Sequence, residues 1–336
     1  MTKKCRIEWI DYTKAFACLL VVVGHLLFSL RSIDNYSTVT EFIIWFIYLF
    51  HMPLFMCLSG LIYHKKAKIS SINEYKEFEF KKIINLLIPY FTFYCITMFL
   101  NMLFSNSVNT PKGIAEWIGV FNNPISPYWF LYALLSIFII VPIIEKMLNH
   151  NKIFVMMFFV AIKIISIIWT PNIYFIKSIM QQGIYFYLGV YISDEKNNNK
   201  PFFTCFLLLC YMIIAFLVYN KKSIINGYVF EILRIGFAVV GTVIMINIFK
   251  LLSKLKMLDT FKMYTFQIFL MHTIFAAGIR IVMFKIGIKN YFVHLVVGLI
   301  FSIYAPVLVS IISNKLRYTN FFFYPLKTIE ECKKGK

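Results

Sequence analysis

Apolar residues run through this chain in blocks of about twenty, separated by short polar breaks, with no sustained two-residue alternation. Ten such blocks are readable, at residues 7–30, 39–63, 83–104, 128–148, 153–170, 175–192, 201–219, 228–249, 263–284 and 291–313. Wound as a helix rising about 1.5 Å per residue, a block of this length matches the roughly 30 Å hydrocarbon core of a bilayer. A helix also satisfies every main-chain polar group within itself, which the bilayer interior requires. The pattern therefore predicts an all-α, polytopic transmembrane bundle of about ten spans. The 175–192 block is the weakest, being short and holding Gly183 and Gly189. If it failed to span, the topology after it would invert.

Composition agrees. Of 336 residues, 60% are hydrophobic and 15% charged, with a mean hydropathy of +0.75. Soluble domains carry about a quarter charged residues, and one water-facing core could not bury ten apolar blocks. The net charge of +19 would suit a nucleic-acid partner only if it formed one basic surface, and it does not. The N-terminus (Lys3, Lys4, Arg6), the breaks at 64–82, 145–152, 193–200 and 250–262, and the tail from 314 together hold 23 Lys and Arg. The alternate breaks hold seven: Arg31, Lys112, Lys177, Lys221, Lys222, Lys285 and Lys289. That asymmetry predicts cytoplasmic termini and an even number of spans, with the bilayer and not nucleic acid as the partner.

Lys14 interrupts the first block and no small-x-small site follows Leu30, so a cleaved signal peptide is not expected. The expectation is one membrane-embedded domain over 1–336, with spans from 7 to 313 and a cytoplasmic tail at 314–336. The 105–127 break contains Asn122, Asn123, Pro124 and Pro127, a turn-rich stretch suited to covering a cavity. The five tryptophans fall near block ends, as an interfacial belt would. The seven cysteines form no CxxC pair and no metal spacing with histidine, so no metal site is expected.

Four cations lie inside blocks: Lys14, Lys163, Arg234 and Arg280. A central charge costs about 2.5–3.5 kcal/mol on insertion scales, so each should face protein, water or a counter-ion. Asp11 and Glu231 are the nearest acids, and an anionic ligand would supply the missing charge. On the first helix, the eleven steps from Lys14 to His25 leave about 20° of rotation and roughly 16 Å of rise, with Asp11 within about 40° of the same face. One helix thus carries a carboxylate, an ammonium and an imidazole in line. Gly24 removes a side chain beside His25, where a ligand could approach. A lone histidine in a span also serves simply as a hydrogen-bond donor to a neighbouring helix, and His51 and His272 read equally well that way. The alignment with Lys14 and Asp11 favours a chemical role for His25, because imidazole takes a proton from a hydroxyl near neutral pH. In the second block Pro53 should kink the helix, and Ser59-Gly60 reads either as close helix packing or as part of a site.

Several of these stretches, in order, resemble a known family. Lys14, ten residues and His25, preceded by Asp11, match its opening pattern. Pro53-Leu54-Phe55 to Ser59-Gly60, Lys81-Lys82 to Pro89-Tyr90, Trp129-Phe130-Leu131 and Tyr264 to His272 follow. Over residues 6 to 313 the chain is similar to the acyltransferase-3 family of bacterial integral-membrane O-acyltransferases, which acylate surface polysaccharides and related glycans. It departs at one point: the family shows two arginines three apart before Pro-Tyr, where this chain has Lys82 and Asn85. A bidentate grip on a donor phosphate is not implied there, although Lys81 and Lys82 attract phosphate as point charges. The chain is also expected to be a stand-alone membrane domain, without the extracellular hydrolase-like domain that some relatives carry.

The resemblance implies transfer of an acyl group, by default acetyl, from cytoplasmic acetyl-coenzyme A to a hydroxyl of a surface glycan or its lipid-linked precursor. It implies the bacterial plasma membrane as location, coenzyme A thioester as co-substrate and no permanently bound cofactor. His25 would act as general base, with Asp11 and Lys14 near the donor and Lys81, Lys82 and Ser59 as donor-binding candidates. His51, His272 and Arg280 are secondary candidates. An acyl-histidine intermediate stays open, as does the acyl group. The competing reading is a transporter or flippase for an anionic or glycan substrate, in which intramembrane His and Lys relay protons.

Overall fold

Each of the ten apolar blocks is a helix in the computed structural model, which describes residues 7–31, 33, 37–67, 69, 71–194, 200–252, 254–316 and 319–334. They are α1 (Glu8–Ser29), α2 (Thr38–Lys66), α3 (Ile72–Leu103), α5 (Trp129–Met147), α6 (Lys152–Ile168), α7 (Tyr174–Ile192), α8 (Pro201–Lys221), α9 (Gly227–Leu252), α10 (Asp259–Lys285) and α11 (Tyr291–Lys315). Two short helices join them: α4 (Ile114–Ile118) inside the 105–127 break and α12 (Pro325–Lys334) in the tail. Among the described residues there is no strand. Lys3, Lys4, Arg6, Lys68, Lys196, Arg317 and Lys336 of the charge count, and Cys5, lie outside the described residues.

Eight of these helices are long and apolar enough to cross a bilayer: α1, α2, α3, α5, α8, α9, α10 and α11. The chain is thus an all-α helical membrane bundle. The other two expected spans fall short for different reasons. With 17 residues, α6 rises only about 26 Å. The 19-residue α7 carries Lys177, Ser178, Gln181 and Gln182, and it is packed among α2, α5 and α6. A helix inside the bundle tolerates polar groups that one facing lipid would not.

Sequence-local signals set several ends. Ser37, Asn151 and Asn290 cap α2, α6 and α11 through side-chain oxygens that accept main-chain N–H groups. Ser71 and Glu74 form a capping box, with Ser71 Oγ accepting from Glu74 N at 3.2 Å and Glu74 Oε2 from Ser71 N at 3.1 Å. That box starts α3 at Ile72, so much of the 64–82 stretch expected as loop is helix instead. The tail is not a simple extension either. Beyond α11 the chain turns back, Phe323 meets the Phe93 ring at 5.2 Å, and the Gln267 amide donates to Tyr324 Oη at 2.8 Å.

We call the end of the bundle where α1 begins the proximal face, and the other end the distal face. On the proximal face Tyr12 Oη donates to Asp259 Oδ1 at 2.6 Å, and Lys254 lies 3.6 Å from Glu8. Lys152 and His64 both bond Asp194. The hydrogen bond from Lys152 holds the Asp194 carboxyl below the usual carboxylate range. On the distal face Arg280 Nη1 donates to Ser29 O at 3.1 Å and Asn109 Nδ2 to the same oxygen at 2.9 Å.

The closest helix approach is between α2 and α7. A Cβ built on Gly60 would overlap the main-chain oxygen of Phe186, and one on Gly189 would overlap that of Cys57. Each glycine admits the other helix's main chain, the packing small residues permit in membranes. The seam brings the polar middle of α7 beside the middle of α2.

Candidate active site

Two cavities that share Phe269 enter the bundle from opposite faces, beside a third and larger proximal cavity of about 790 Å³ lined by Tyr63, His64, Tyr75, Glu145, Lys146 and Lys152. The distal one, about 280 Å³, is lined by His25, Tyr48 and His51, by Ser126, Pro127 and Trp129, and by Lys163, Gln181, Gln182, Tyr185, Glu231 and Arg234. The proximal one, about 330 Å³, is lined by Asp11 and Lys14 of α1, Phe55 and Ser59 of α2, Lys262 and Thr265 of α10, and Tyr324 of the tail. Phe269 borders both. It belongs to an aromatic cluster with Phe55 and Phe130, the ring centroids 5.5 to 6.3 Å apart. All three rings are buried.

The face of α1 carrying Asp11, Lys14 and His25 is therefore divided, with acid and ammonium on the proximal side and imidazole on the distal side. Around His25 the structure gathers more groups. The His272 ring lies 5.3 Å from the His25 ring, and Tyr48 6.3 Å from it on another side. Tyr48 in turn sits 4.9 Å from His51. His51 Nδ1 is 2.8 Å from Ile47 O, and His272 Nδ1 is 2.9 Å from Phe269 O. A carbonyl oxygen only accepts, so both rings carry a proton on Nδ1, which leaves the neutral ring's Nε2 as acceptor. His272 Nε2 is buried and has no hydrogen-bond partner. His25 Nε2 lies 3.4 Å from Ser126 Oγ, a long contact from the turn-rich distal stretch. A hydroxyl entering the cavity can replace it. Gly24, expected to admit a ligand, instead accommodates the Tyr48 ring: a Cβ there would lie 2.9 Å from Tyr48 Cε2.

The remaining sequence candidates separate. Ser59 lines the proximal cavity, its hydroxyl donating to Phe55 O at 2.9 Å. Lys81 pairs with Glu77 on the surface, and Lys82 lies over the Phe138 ring at 3.8 Å. Neither is among the residues lining the Asp11–Lys14 cavity. Arg280 is buried and bonds the last turn of α1, so its burial has a structural account. At the proximal mouth Lys262 Nζ donates to Tyr12 Oη at 2.9 Å and pairs with Asp259 at 2.7 Å.

A partly buried imidazole facing a polar cavity, with a cavity holding Lys14 and Lys262 on the other side of Phe269, suits proton transfer from a hydroxyl on one face and delivery of a polyanion-tethered group from the other. The profile of the acyltransferase-3 family, an acyltransferase domain, matches residues 7–311. The chain belongs to that family. The family match spans every residue that lines the distal cavity and all but Tyr324 of the proximal one. A second comparison finds Nodulation protein NolL of Sinorhizobium fredii (strain NBRC 101917 / NGR234), 31% identical over 134 residues. That stretch is 39% of this chain and 34% of NolL, so the match spans about a third of the relative. No solved structure matches the chain.

Several residues that line these cavities are not singled out by the sequence. Gln181 and Gln182 were visible as a polar pair in the weakest block, where they lowered its hydropathy. Ser126 was visible only as part of a turn. Lys262 was visible only as one cation of the basic 250–262 break, and Tyr48 and Tyr324 carried no signal, because nothing local says that a tyrosine or a tail residue will meet a cavity.

Proposed function

We propose that the chain moves an acetyl group from cytoplasmic acetyl-coenzyme A to a hydroxyl of a cell-surface glycan or its lipid-linked precursor. The observation that carries the reading is the pair of cavities meeting at Phe269, His25 on one side and Lys14 on the other. In this reading the proximal face is cytoplasmic in a bacterial plasma membrane, in keeping with the excess of Lys and Arg in its breaks. The phosphates of coenzyme A are held near Lys14 and Lys262, with Lys81 and Lys82 adding to the basic field around the entrance. The thin pantetheine arm runs past Ser59 and brings the thioester to the Phe55–Phe130–Phe269 constriction.

His25 then acts as general base. Its Nε2 takes the proton of the acceptor hydroxyl as that oxygen bonds to the thioester carbonyl carbon. The tetrahedral intermediate collapses with cleavage of the C–S bond, and the coenzyme A sulfur leaves and takes up the proton. The products are the O-acetyl ester and free thiol. His51 and His272 border the reacting centre and shape it, while Asp11 stays at the donor end beside Lys14.

The test is thiol release by purified protein in lipid nanodiscs, given acetyl-coenzyme A with and without glycan acceptor. Acceptor-dependent release is expected, with KM for the donor raised in Lys14→Met. Folded protein that releases no thiol with any acceptor would leave the transporter reading ahead. The constriction gives a separate expectation. Phe269→Leu, which shortens the partition while staying apolar, should raise acceptor-independent thioester hydrolysis several-fold, measured as thiol release without acceptor.

A further inference from the structure

The distal cavity contains a charge that neither base catalysis nor the donor uses. On one wall α6 supplies Lys163, and α9 supplies Glu231 and Arg234. The last two satisfy each other, Arg234 Nη1 donating to Glu231 Oε1 at 2.6 Å, with both side chains roughly half exposed at the mouth. Lys163 lies deeper. Among the described residues its ammonium makes no hydrogen bond or ion pair; the Tyr185 ring lies 5.7 Å away, and the Glu231 and Arg234 charges act on it through space with opposite sign. The lining therefore holds two permanent cations against one carboxylate, with the unmatched one inside.

A cation held in a helix of a membrane bundle needs a compensating anion or water, and within this cavity the protein supplies no second carboxylate. Beside it, Gln182 Oε1 is buried with no hydrogen-bond partner. An amide oxygen accepts from a hydroxyl, and leaving it unmet is unfavourable. Its neighbour Gln181 also lines the cavity, as do the rings of Tyr48, Trp129 and Tyr185. The unmatched groups thus ask for one negative charge and at least one hydroxyl donor, beside His25. At about 280 Å³ the space lies at the small end of ligand sites, suited to the end of a glycan rather than to a polymer chain.

We infer that the acceptor is an acidic sugar, its carboxylate or phosphate against Lys163 and one hydroxyl on Gln182, so that another hydroxyl reaches His25. The inference rests on the acyl-transfer reading and specifies the acceptor class. Lys163 selects by charge, Gln182 Oε1 by accepting a hydrogen bond from a sugar hydroxyl, and the Arg234–Glu231 pair guards the mouth. The acidic group also orients the ring, since a charge-assisted hydrogen bond is shorter and stronger than a neutral one.

The experiment uses full-length protein in nanodiscs with acetyl-coenzyme A and a panel of methyl glycosides and their matched uronic acids and sugar phosphates, in the gluco, galacto and manno series. Thiol release gives kcat/KM, and calorimetry on the same protein gives acceptor affinity independently of turnover. An acidic member is expected to exceed its neutral counterpart by about tenfold or more, the scale of one charge-assisted hydrogen bond. The uronic acid and phosphate arms identify which acid is read. Lys163→Met should collapse that ratio towards one, chiefly through KM, and Lys163→Arg should keep most of it. Equal affinity for neutral and acidic acceptors, no binding of any, or a preference that survives Lys163→Met would overturn the inference. Charge-selective binding without thiol release would instead count against acyl transfer and leave the acidic ligand standing.

Discussion

His25→Ala is expected to lower acyl transfer by about 10²–10⁴-fold, the usual contribution of a general base, while the protein still folds and inserts. The expectation rests on position. His25 lines the distal cavity, with its Nε2 within reach of Ser126 Oγ, a place an acceptor hydroxyl can take. The imidazoles of His51 and His272 lie nearby, but each has its Nδ1 committed to a main-chain carbonyl of its own helix. That anchoring stops either ring from swinging into the role of His25. The check is mass spectrometry of surface glycan from wild type, a deletion strain, and the deletion complemented with His25→Ala. An acyl mass lost on deletion and unrestored by the expressed variant is the expected result. Wild-type acylation by the variant would remove His25 from the mechanism.

The second large effect is structural. Gly189→Ala is expected to cost about 3 kcal/mol or more, beyond the usual range for overpacking, and Gly60→Ala a similar amount. The obstacle in each case is the main chain of the partner helix, the Cys57 oxygen for Gly189 and the Phe186 oxygen for Gly60. A side chain could turn aside, but a helix main chain moves only as a whole. Separating α2 from α7 would also pull Gln181 and Gln182 away from His51, so activity should fall with stability. Gly278→Ala on α10 is the control, since nothing lies within 4 Å of a Cβ there. Thermal unfolding in detergent, followed by size-exclusion fluorescence, should show a large drop for the first two and none for the third. A stable Gly189→Ala protein would mean that α2 and α7 do not meet main chain to main chain.

These two predictions differ in how far the sequence announces them. His25 stood out because a histidine, a lysine and an aspartate at those spacings share one helix face. Gly60, after Ser59, stood out as a packing or site residue with no partner named, and Gly189 only as a glycine of the weakest block. That they face each other's helices is a long-range fact. The sequence treated Lys82 as a donor ligand because a charge near a membrane face attracts phosphate, yet in the bundle its ammonium lies over the Phe138 ring. Arg280 looked like a buried cation in search of an anion, and it caps a helix end instead.

What the sequence determined by itself follows from local physics. Main-chain desolvation forces each apolar block into a helix, which is why all ten blocks are helices whatever their neighbours. Side-chain direction on one helix follows from about 100° per residue, which is why Asp11, Lys14 and His25 could be placed on one face. What only the tertiary structure decided is what that face meets. Phe269, more than 240 positions away in sequence, borders both cavities and divides the face that carries Lys14 and His25 between them. The polar α7 enters the bundle through its glycine seam, the 105–127 break supplies Ser126, and the tail returns with Tyr324. Helix geometry fixes where a residue points, but the neighbour it points at depends on how all the helices pack together, and no local pattern encodes that.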